Sequence, residues 1–510
     1  MYGRVTGVTV VGVRGHLVTV ESHVGRGLPS LTFTGQPGAA VQDARDRIRP
    51  AIESAKLEWP LRRVVVNLVP GNLRKEGPGL DLPVAMSVLA AMRQAPISKL
   101  PGWAFAGELS LEGSLVSTPG VLSVAIAAAR AGLRGVVVPQ PNAAEAALVD
   151  GLEVVGAPAL AEVVGFFRGT WAPVPHPGTS DETQRSHAVD LSEIRGQAQA
   201  RRALEVAAAG GHNILLIGSP GAGKTMLARR LPTILPAMSR EEALEVTQLH
   251  SVAGLLEGGL VRERPFRSPH HTVSPAALLG GGSTHLRPGE VSLATHGVLF
   301  LDEFTEFRRD AVEGLRQPLE DGRVVVTRMA GTAEFPARFT LVAAANPCPC
   351  GYLGDTSRRC RCRDDRIRVY KAKLSGPLLD RVDIRMTVPR LTKQELFGQE
   401  PGEPSAPVRE RVEEARARQR RRYRALGSFC NAQMPGPVAP REARMSASAE
   451  SLLAEAVDRH ALTGRGFDRV LKVGRTIADL AGSERVESDH VVEALAYRRT
   501  PSALEHEHAG

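Results

Sequence analysis

Apolar and polar residues alternate through Val5–Val13 and His16–Val24, the period-two pattern of strands with one buried face, and Ser30–Thr34 predicts a third. Between Ala39 and Leu57 the spacing becomes that of an amphipathic helix, and Arg63–Val69 returns to a strand. Leu80–Met92 and Val121–Ala131 read as apolar helices, Gly135–Pro139 as a buried strand. Residues 1–170 are therefore expected to form an α/β domain, a mixed sheet covered by helices. Proline, polar and charged residues take over in Trp171–His187, which places a linker at residues 171–189. An amphipathic helix, Ala198–Ala208, then precedes the apolar run Ile214–Ile217. Apolar strands within Gly297–Phe304 and Phe339–Asn346 continue a second α/β unit over residues 190–390. Residues 391–500 read as helical, with a very basic segment, Val408–Leu426, followed by helices Ala449–Arg459, Gly466–Ala481 and Ser488–Tyr497. The tail, residues 501–510, is expected to be disordered.

Chemistry enters at the turn after Ile217. Gly218, Ser219, Pro220, Gly221, Ala222, Gly223, Lys224 and Thr225 give the spacing G-x-x-x-x-G-K-[ST] between a strand and a helix. Backbone N–H groups of such a loop close around phosphate oxygens, and the helix N-terminus adds to the attraction. Lys224 reaches the terminal phosphates and the Thr225 hydroxyl ligates Mg²⁺. The strand within Gly297–Phe304 ends in two carboxylates, Asp302 for the Mg²⁺ shell and Glu303 to orient the attacking water. The expected cofactors are ATP and Mg²⁺.

Composition changes the picture less. A length of 510 residues calls for three or more domains, and with aromatic residues at 4% the cores must rest on Leu, Val, Ile and Ala. The net charge of +9 permits nucleic-acid binding, although solubility alone also accounts for it. The first sixteen residues lack the continuous apolar centre of a signal peptide, and no uncharged apolar stretch reaches the ~20 residues of a membrane helix. A cytoplasmic protein without a membrane partner is expected.

Four of the five cysteines form two C-x-C pairs, Cys348 with Cys350 and Cys360 with Cys362, separated by nine residues. Four soft thiolates in one segment suit tetrahedral Zn²⁺; the alternative is four free or oxidisable thiols. Arg358, Arg359 and Arg361 sit among them, where a metal would present them to phosphates. Cys430 stands apart as a packed thiol. Gly280–His296 and Gly322–Pro336 read as inserted hairpins. Arg323 and Arg328 are either DNA-backbone contacts or ordinary surface arginines. His270 and His271 lie near nucleotide or a subunit interface, or are simply packed. The arginines of Val408–Leu426 make either a solvated helix or a second phosphate-contacting face.

Two resemblances extend these readings. Lys75–Pro83 (KEGPGLDLP) and residues 107–139 resemble the proteolytic domain of the Lon family. The Ser and Lys of that family's dyad fall at or near Gly79 and close to Leu122, so nucleophile and base are both missing. This implies a peptidase-like fold without peptidase chemistry, serving assembly or docking. Asp190–Gln197 (DLSEIRGQ) resembles the AAA+ segment that lies against adenine, and Asn346 matches the AAA+ sensor that bonds the γ-phosphate or the water. FRSPHHTVSPAALLGGG (266–282), LRQPLEDGRVVVTR (315–328), AANPCPCGYLGD (344–355) and LSGPLLDRVDI (374–384) resemble the magnesium-chelatase-like AAA+ proteins of the ComM or YifB type, from Met1 to about Arg499. That resemblance implies a Lon-protease-like N-terminal α/β domain, an AAA+ P-loop α/β core and a C-terminal α-helical lid. It further implies a homo-hexameric ATPase acting on single-stranded or branched DNA, a branch-migration helicase in natural transformation and homologous recombination, with recombination proteins as further partners. In such a ring the hairpins face the pore. Arg381 takes the part of the arginine finger reaching a neighbour's γ-phosphate, and Arg465 that of the second sensor, with Arg469 as its rival. A magnesium chelatase ATPase subunit and an AAA+ protein-remodelling chaperone are the alternatives.

Overall fold

The computed structural model describes the chain apart from residues 175–188, 283–285, 329–330, 356–357, 374–375, 393–394, 396–401, 425–429, 461 and 499–510. Most of the expected linker and the whole expected disordered tail lie outside the described residues.

The N-terminal unit is built on a seven-stranded mixed sheet. Its order is Ser30–Thr34, Arg63–Val69, Arg14–Val24, Tyr2–Val11, Trp103–Phe105, Gly135–Pro139 and Glu153–Ala157. The first two long strands pair antiparallel in full register, Tyr2 opposite His23 through Val11 opposite Arg14, and the four strands from Tyr2–Val11 to Glu153–Ala157 run parallel. Helices Ala39–Ser54 and Asp81–Ala91 cover one face, and Val121–Arg130 covers the other. Asp81–Ala91 is buried on every side, which explains its lack of a polar stripe. Leu122 is fully buried and its N–H donates to Glu145 at 2.8 Å. Lys75, the buried lysine of this unit, is committed to the carbonyls of Gly35 (2.8 Å) and Pro70.

The second unit is a five-stranded parallel sheet in the order Phe266–Arg267, Val298–Leu301, Thr340–Ala345, Ile214–Ile217, Ile384–Thr387. Ile214–Ile217 is an interior strand and wholly buried, which is why it reads as an unbroken apolar run. Residues 405–498 add a helical region whose main helices are Ser405–Arg422, Ala447–His460, Gly464–Leu480 and Ser488–Ala496. Apolar residues from these helices join one face of the parallel sheet in a single core. Of the expected hairpins, Arg323–Arg328 pairs with Gly331–Pro336 over six residues. The expected hairpin at Gly280–His296 is smaller: only Gly280–Gly281 pairs with Arg287–Pro288, and Glu290–Leu293 turns helical.

The two sheets meet at a defined joint. Val13, at the tip of the first N-terminal hairpin, belongs to the core on the far face of the parallel sheet. Neighbouring Gly12 turns with φ +62°, and a Cβ there would stand 3.1 Å from Glu334 O and 3.2 Å from Ala333 Cβ. Helix Arg240–Ala253 lies against Val121–Arg130, with Gln248 donating to Val13 O and to Ser123 Oγ (3.0 Å), and Ser251 bonded to Glu145.

Candidate active site and cysteine cluster

The phosphate loop leaves strand Ile214–Ile217 at Gly218 and enters helix Lys224–Ile234 at Gly223, whose φ of +92° is one that side chains other than glycine rarely adopt. Pro220–Met226, Asp302, Glu303, Ala344, Ala345 and Asn346 line one open cleft of ≈ 400 Å³. The three strands that supply these residues are neighbours in the sheet, so their C-terminal ends converge as in other open parallel sheets.

Lys224 Nζ donates to the loop carbonyls of Gly218 (2.6 Å) and Ser219 (3.1 Å) and to Asn346 Oδ1 (3.1 Å). Burial lowers its pKa, and Asp302 and Glu303 pull it back up. The Thr225 hydroxyl donates to Asp302 Oδ2 at 2.7 Å, so the hydroxyl and carboxylate expected around Mg²⁺ are already side by side. Glu303 N–H donates to Asp302 Oδ1 at 2.9 Å, and Glu303 holds a left-handed φ of +49°. Such strain, about 1 kcal/mol for a non-glycine residue, gathers at active sites. Gln197, also left-handed at φ +48°, donates from Nε2 to Ala222 O at 2.7 Å and braces the loop from the expected adenine side.

One neighbour of Glu303 was left open by sequence reasoning. His271 Nδ1 stands 3.5 Å from Glu303 Oε2. Its ring stacks on His270 at 4.1 Å and meets Phe307 edge-on at 6.4 Å, while His270 is fixed through Thr272 Oγ1 at 2.9 Å. His271 thus faces the Glu303 carboxylate.

Neither Arg381 nor Arg465 lines the cleft. Arg381 Nη2 bonds Glu320 Oε1 at 2.5 Å, and Arg465 Nη2 lies 3.7 Å from the same oxygen. The rival, Arg469, is paired with buried Asp383 at 2.5 Å, which ties it to the packing between lid and sheet.

Arg323 and Arg328 lie exposed on the six-residue hairpin, Arg323 within 3.4 Å of Glu334. Arg359 and Arg361 are exposed beside the cysteines, and Arg358 stacks on Tyr352 at 4.5 Å. The basic helix is less available than its composition implies. Arg409, Arg416 and Arg418 donate to backbone carbonyls of Thr233, Ala208 and Asp479, Arg411 pairs with Glu205 and Glu403, and Arg422 pairs with Asp479. Those side chains pack the helix into the molecule, and Arg420, Arg421 and Arg424 remain exposed.

The four cysteine sulfurs lie within 4.8 Å of one another. Cys348 Sγ is 3.4 Å from Cys350 Sγ and 3.6 Å from Cys360 Sγ, and Cys350 Sγ is 3.6 Å from Cys360 Sγ. A tetrahedron of thiolates with Zn–S near 2.3 Å has edges of about 3.8 Å, so these residues fit zinc. Cys430 is buried, as expected of a packed thiol.

Comparison with known proteins agrees with this architecture. Residues 190–396 match the family described as "Magnesium chelatase, subunit ChlI", residues 20–142 "Subunit ChlI of Mg-chelatase", and residues 402–498 "Magnesium chelatase, subunit ChlI C-terminal". An uncharacterised protein of Mycobacterium tuberculosis (strain ATCC 25618 / H37Rv) is 45% identical over 98% of this chain and 99% of its own. YifB of Escherichia coli (strain K12) is 41% identical over 97% of each chain, and competence protein ComM of Haemophilus influenzae is 41% identical over 96% of each. A partial similarity, 26% over 39% of this chain and 25% of the other, links it to a Lon protease of Geobacter metallireducens. No helix among the described residues is long and apolar enough to cross a membrane.

Proposed function

This chain belongs to the magnesium-chelatase-like AAA+ family, of the ComM and YifB type, and from that premise we propose that it is a hexameric, DNA-stimulated ATP motor that migrates or unwinds branched DNA. The observation that carries the ATPase reading is the convergence of Lys224, Thr225, Asp302, Glu303 and Asn346 on one open cleft. Lys224 holds the terminal phosphates, Asn346 bonds the γ-phosphate or the water, and Glu303 orients that water for in-line attack. Thr225 and Asp302 would hold Mg²⁺, which when bound neutralises charge on the phosphates. His271 keeps Glu303 in place.

The position of Arg381 and Arg465 at Glu320 supports completion of the site by a neighbouring subunit. Each arginine would exchange its carboxylate for the neighbour's γ-phosphate on assembly. DNA contact is assigned to Arg323 and Arg328 on the hairpin and to Arg358, Arg359 and Arg361 beside the cysteines. These are sequence-independent phosphate contacts. The four cysteines are read as a structural Zn²⁺ site that fixes this arginine-bearing loop. The Haemophilus relative is a competence protein, which favours a place in natural transformation.

The test is ATP turnover of assembled hexamers with and without single-stranded and branched DNA, beside Lys224→Ala. DNA stimulation that the variant lacks is expected. Turnover indifferent to DNA at low salt would move the reading to a chelatase subunit or a protein-remodelling chaperone.

A further inference from the structure

We propose that Tyr370 is a positioning residue for ATP hydrolysis, through which the four-cysteine loop sets the placement of the turn that carries Glu303. Helix Asp364–Lys373 begins two residues after Cys362 and carries Tyr370, which is buried. The Tyr370 hydroxyl accepts a hydrogen bond from Thr305 Oγ1 at 2.7 Å. Thr305 is two residues past Glu303. That hydroxyl therefore ties the helix that follows the cysteines to the turn that carries the water-orienting carboxylate.

The loop itself is seated on the phosphate loop. A Cβ at Gly351 would stand 2.6 Å from Pro220 Cδ, so the cysteine loop touches the ATP loop with no room for a side chain. Arg390 donates to Pro220 O at 3.1 Å and lies within 3.5 Å of Asp355. The guanidinium groups of Arg358, at 4.5 Å, and Arg390, at 5.7 Å, both lie over the Tyr352 ring. At its other end, Cys348 is fully buried two residues beyond Asn346, whose Oδ1 receives Lys224. The chain thus leaves Asn346, closes through four sulfurs, and returns along a helix by way of Tyr370 to the Glu303 turn, whose strand pairs with the strand that ends before Asn346. Such a closed path holds a side chain to the few tenths of an ångström that in-line chemistry requires, which a free loop end would not. Opening the sulfur cluster slackens one side of the path; deleting the hydroxyl cuts the other.

The inference rests on the ATPase reading, which turnover abolished by Lys224→Ala establishes first. Tyr370→Phe and Cys360→Ser are then compared with wild type in the full chain at saturating Mg²⁺. The measurements are kcat, KM, metal content, melting temperature, and affinity for a non-hydrolysable ATP analogue against ADP. Tyr370→Phe removes only the hydroxyl, and we expect kcat to fall about tenfold, the scale of one buried hydrogen bond. KM and melting temperature should stay near wild type while the preference for the triphosphate over ADP declines. Cys360→Ser should give the same fall, and the double variant should fall no further than either single one, since both cut one path. A Tyr370→Phe protein with kcat and triphosphate preference within twofold of wild type overturns the inference. Independent, multiplying losses overturn the link between tyrosine and cluster. Wild-type protein without stoichiometric zinc that still shows the shared, non-multiplying loss overturns the zinc reading alone and supports the positioning role.

Discussion

His271 shows how a single contact distinguishes a candidate site residue from a merely packed one. Its ring is pinned between His270 and Phe307 and directed at Glu303, a carboxylate that is itself largely exposed and set on a left-handed turn. Replacing His271 by Ala should lower kcat for ATP about tenfold with KM little changed, because the carboxylate is still present but no longer held. His271→Asn, which keeps a donor near the same place, should recover part of the loss in a steady-state assay. The phosphate loop, Asp302, Glu303 and Asn346 were legible because their chemistry is written in contiguous spacing beside apolar strands. Tyr370 and Glu320 were not. Tyr370 lies 24 residues beyond Asn346 on a helix with almost no amphipathic signature, and its role exists only once the chain has folded back. Glu320 reads as one more surface acid until Arg381 and Arg465 are seen to share one of its oxygens.

At the scale of elements, the long periodic segments and the unbroken apolar runs were legible, and several short segments were not. Trp103–Phe105, three residues in the middle of the N-terminal sheet, is too brief to show any period, and Glu153–Ala157 with helix Leu160–Arg168 went unassigned. The first hairpin turns at Gly12, so the strand expected to reach Val13 stops at Val11. The basic helix Ser405–Arg422 illustrates a different limit, since charge composition does not reveal which arginines turn inward. The lid is held to the sheet by a buried polar group of the same kind. Asp383 is fully buried, paired with Arg469, 3.4 Å from His212, and accepts from Asn213 N–H at 3.0 Å. Burial alone would raise its carboxyl pKa, but Arg469 and His212 outweigh that and hold it well below the usual carboxylate range. A depressed pKa contributes stability above the unfolded value, ~3.9, and loses it as pH falls below that value toward the folded one. Asp383→Asn should therefore cost about 3 kcal/mol at neutral pH, because Arg469 is left without its partner. The gap between the two proteins should narrow as the medium is acidified below about pH 4. Denaturation midpoints across pH check both the size and the sign.

For the whole molecule, the separation of Arg381 and Arg465 from their own cleft makes assembly a condition of turnover under the proposed reading. Specific activity should rise with protein concentration until the ring is complete. Arg381→Ala alone should lose about a thousandfold or more, the scale of a removed arginine finger. Mixed with inactive Lys224→Ala, it should regain activity, because a mixed ring contains sites with an intact lysine on one side and an intact arginine on the other. Mixing that restores nothing would place the arginine's action within its own subunit. DNA binding by exposed arginines should weaken steeply between 50 and 200 mM salt, by roughly 10³ if about six phosphates are neutralised.

The joint at Gly12 and Val13 carries a consequence for how the protein comes apart on heating. Val13 is part of the apolar core behind the ATPase sheet, and Gly12 backs onto Glu334 with no space for even a methyl group to pass unnoticed. The N-terminal hairpin cannot melt without drawing an apolar plug out of the neighbouring sheet, and that sheet cannot melt without releasing the hairpin's tip. Two units of this size, joined only by a linker, would give two separate heat-absorption peaks. This chain should give one shared peak, and a bulky residue in place of Gly12 should split it.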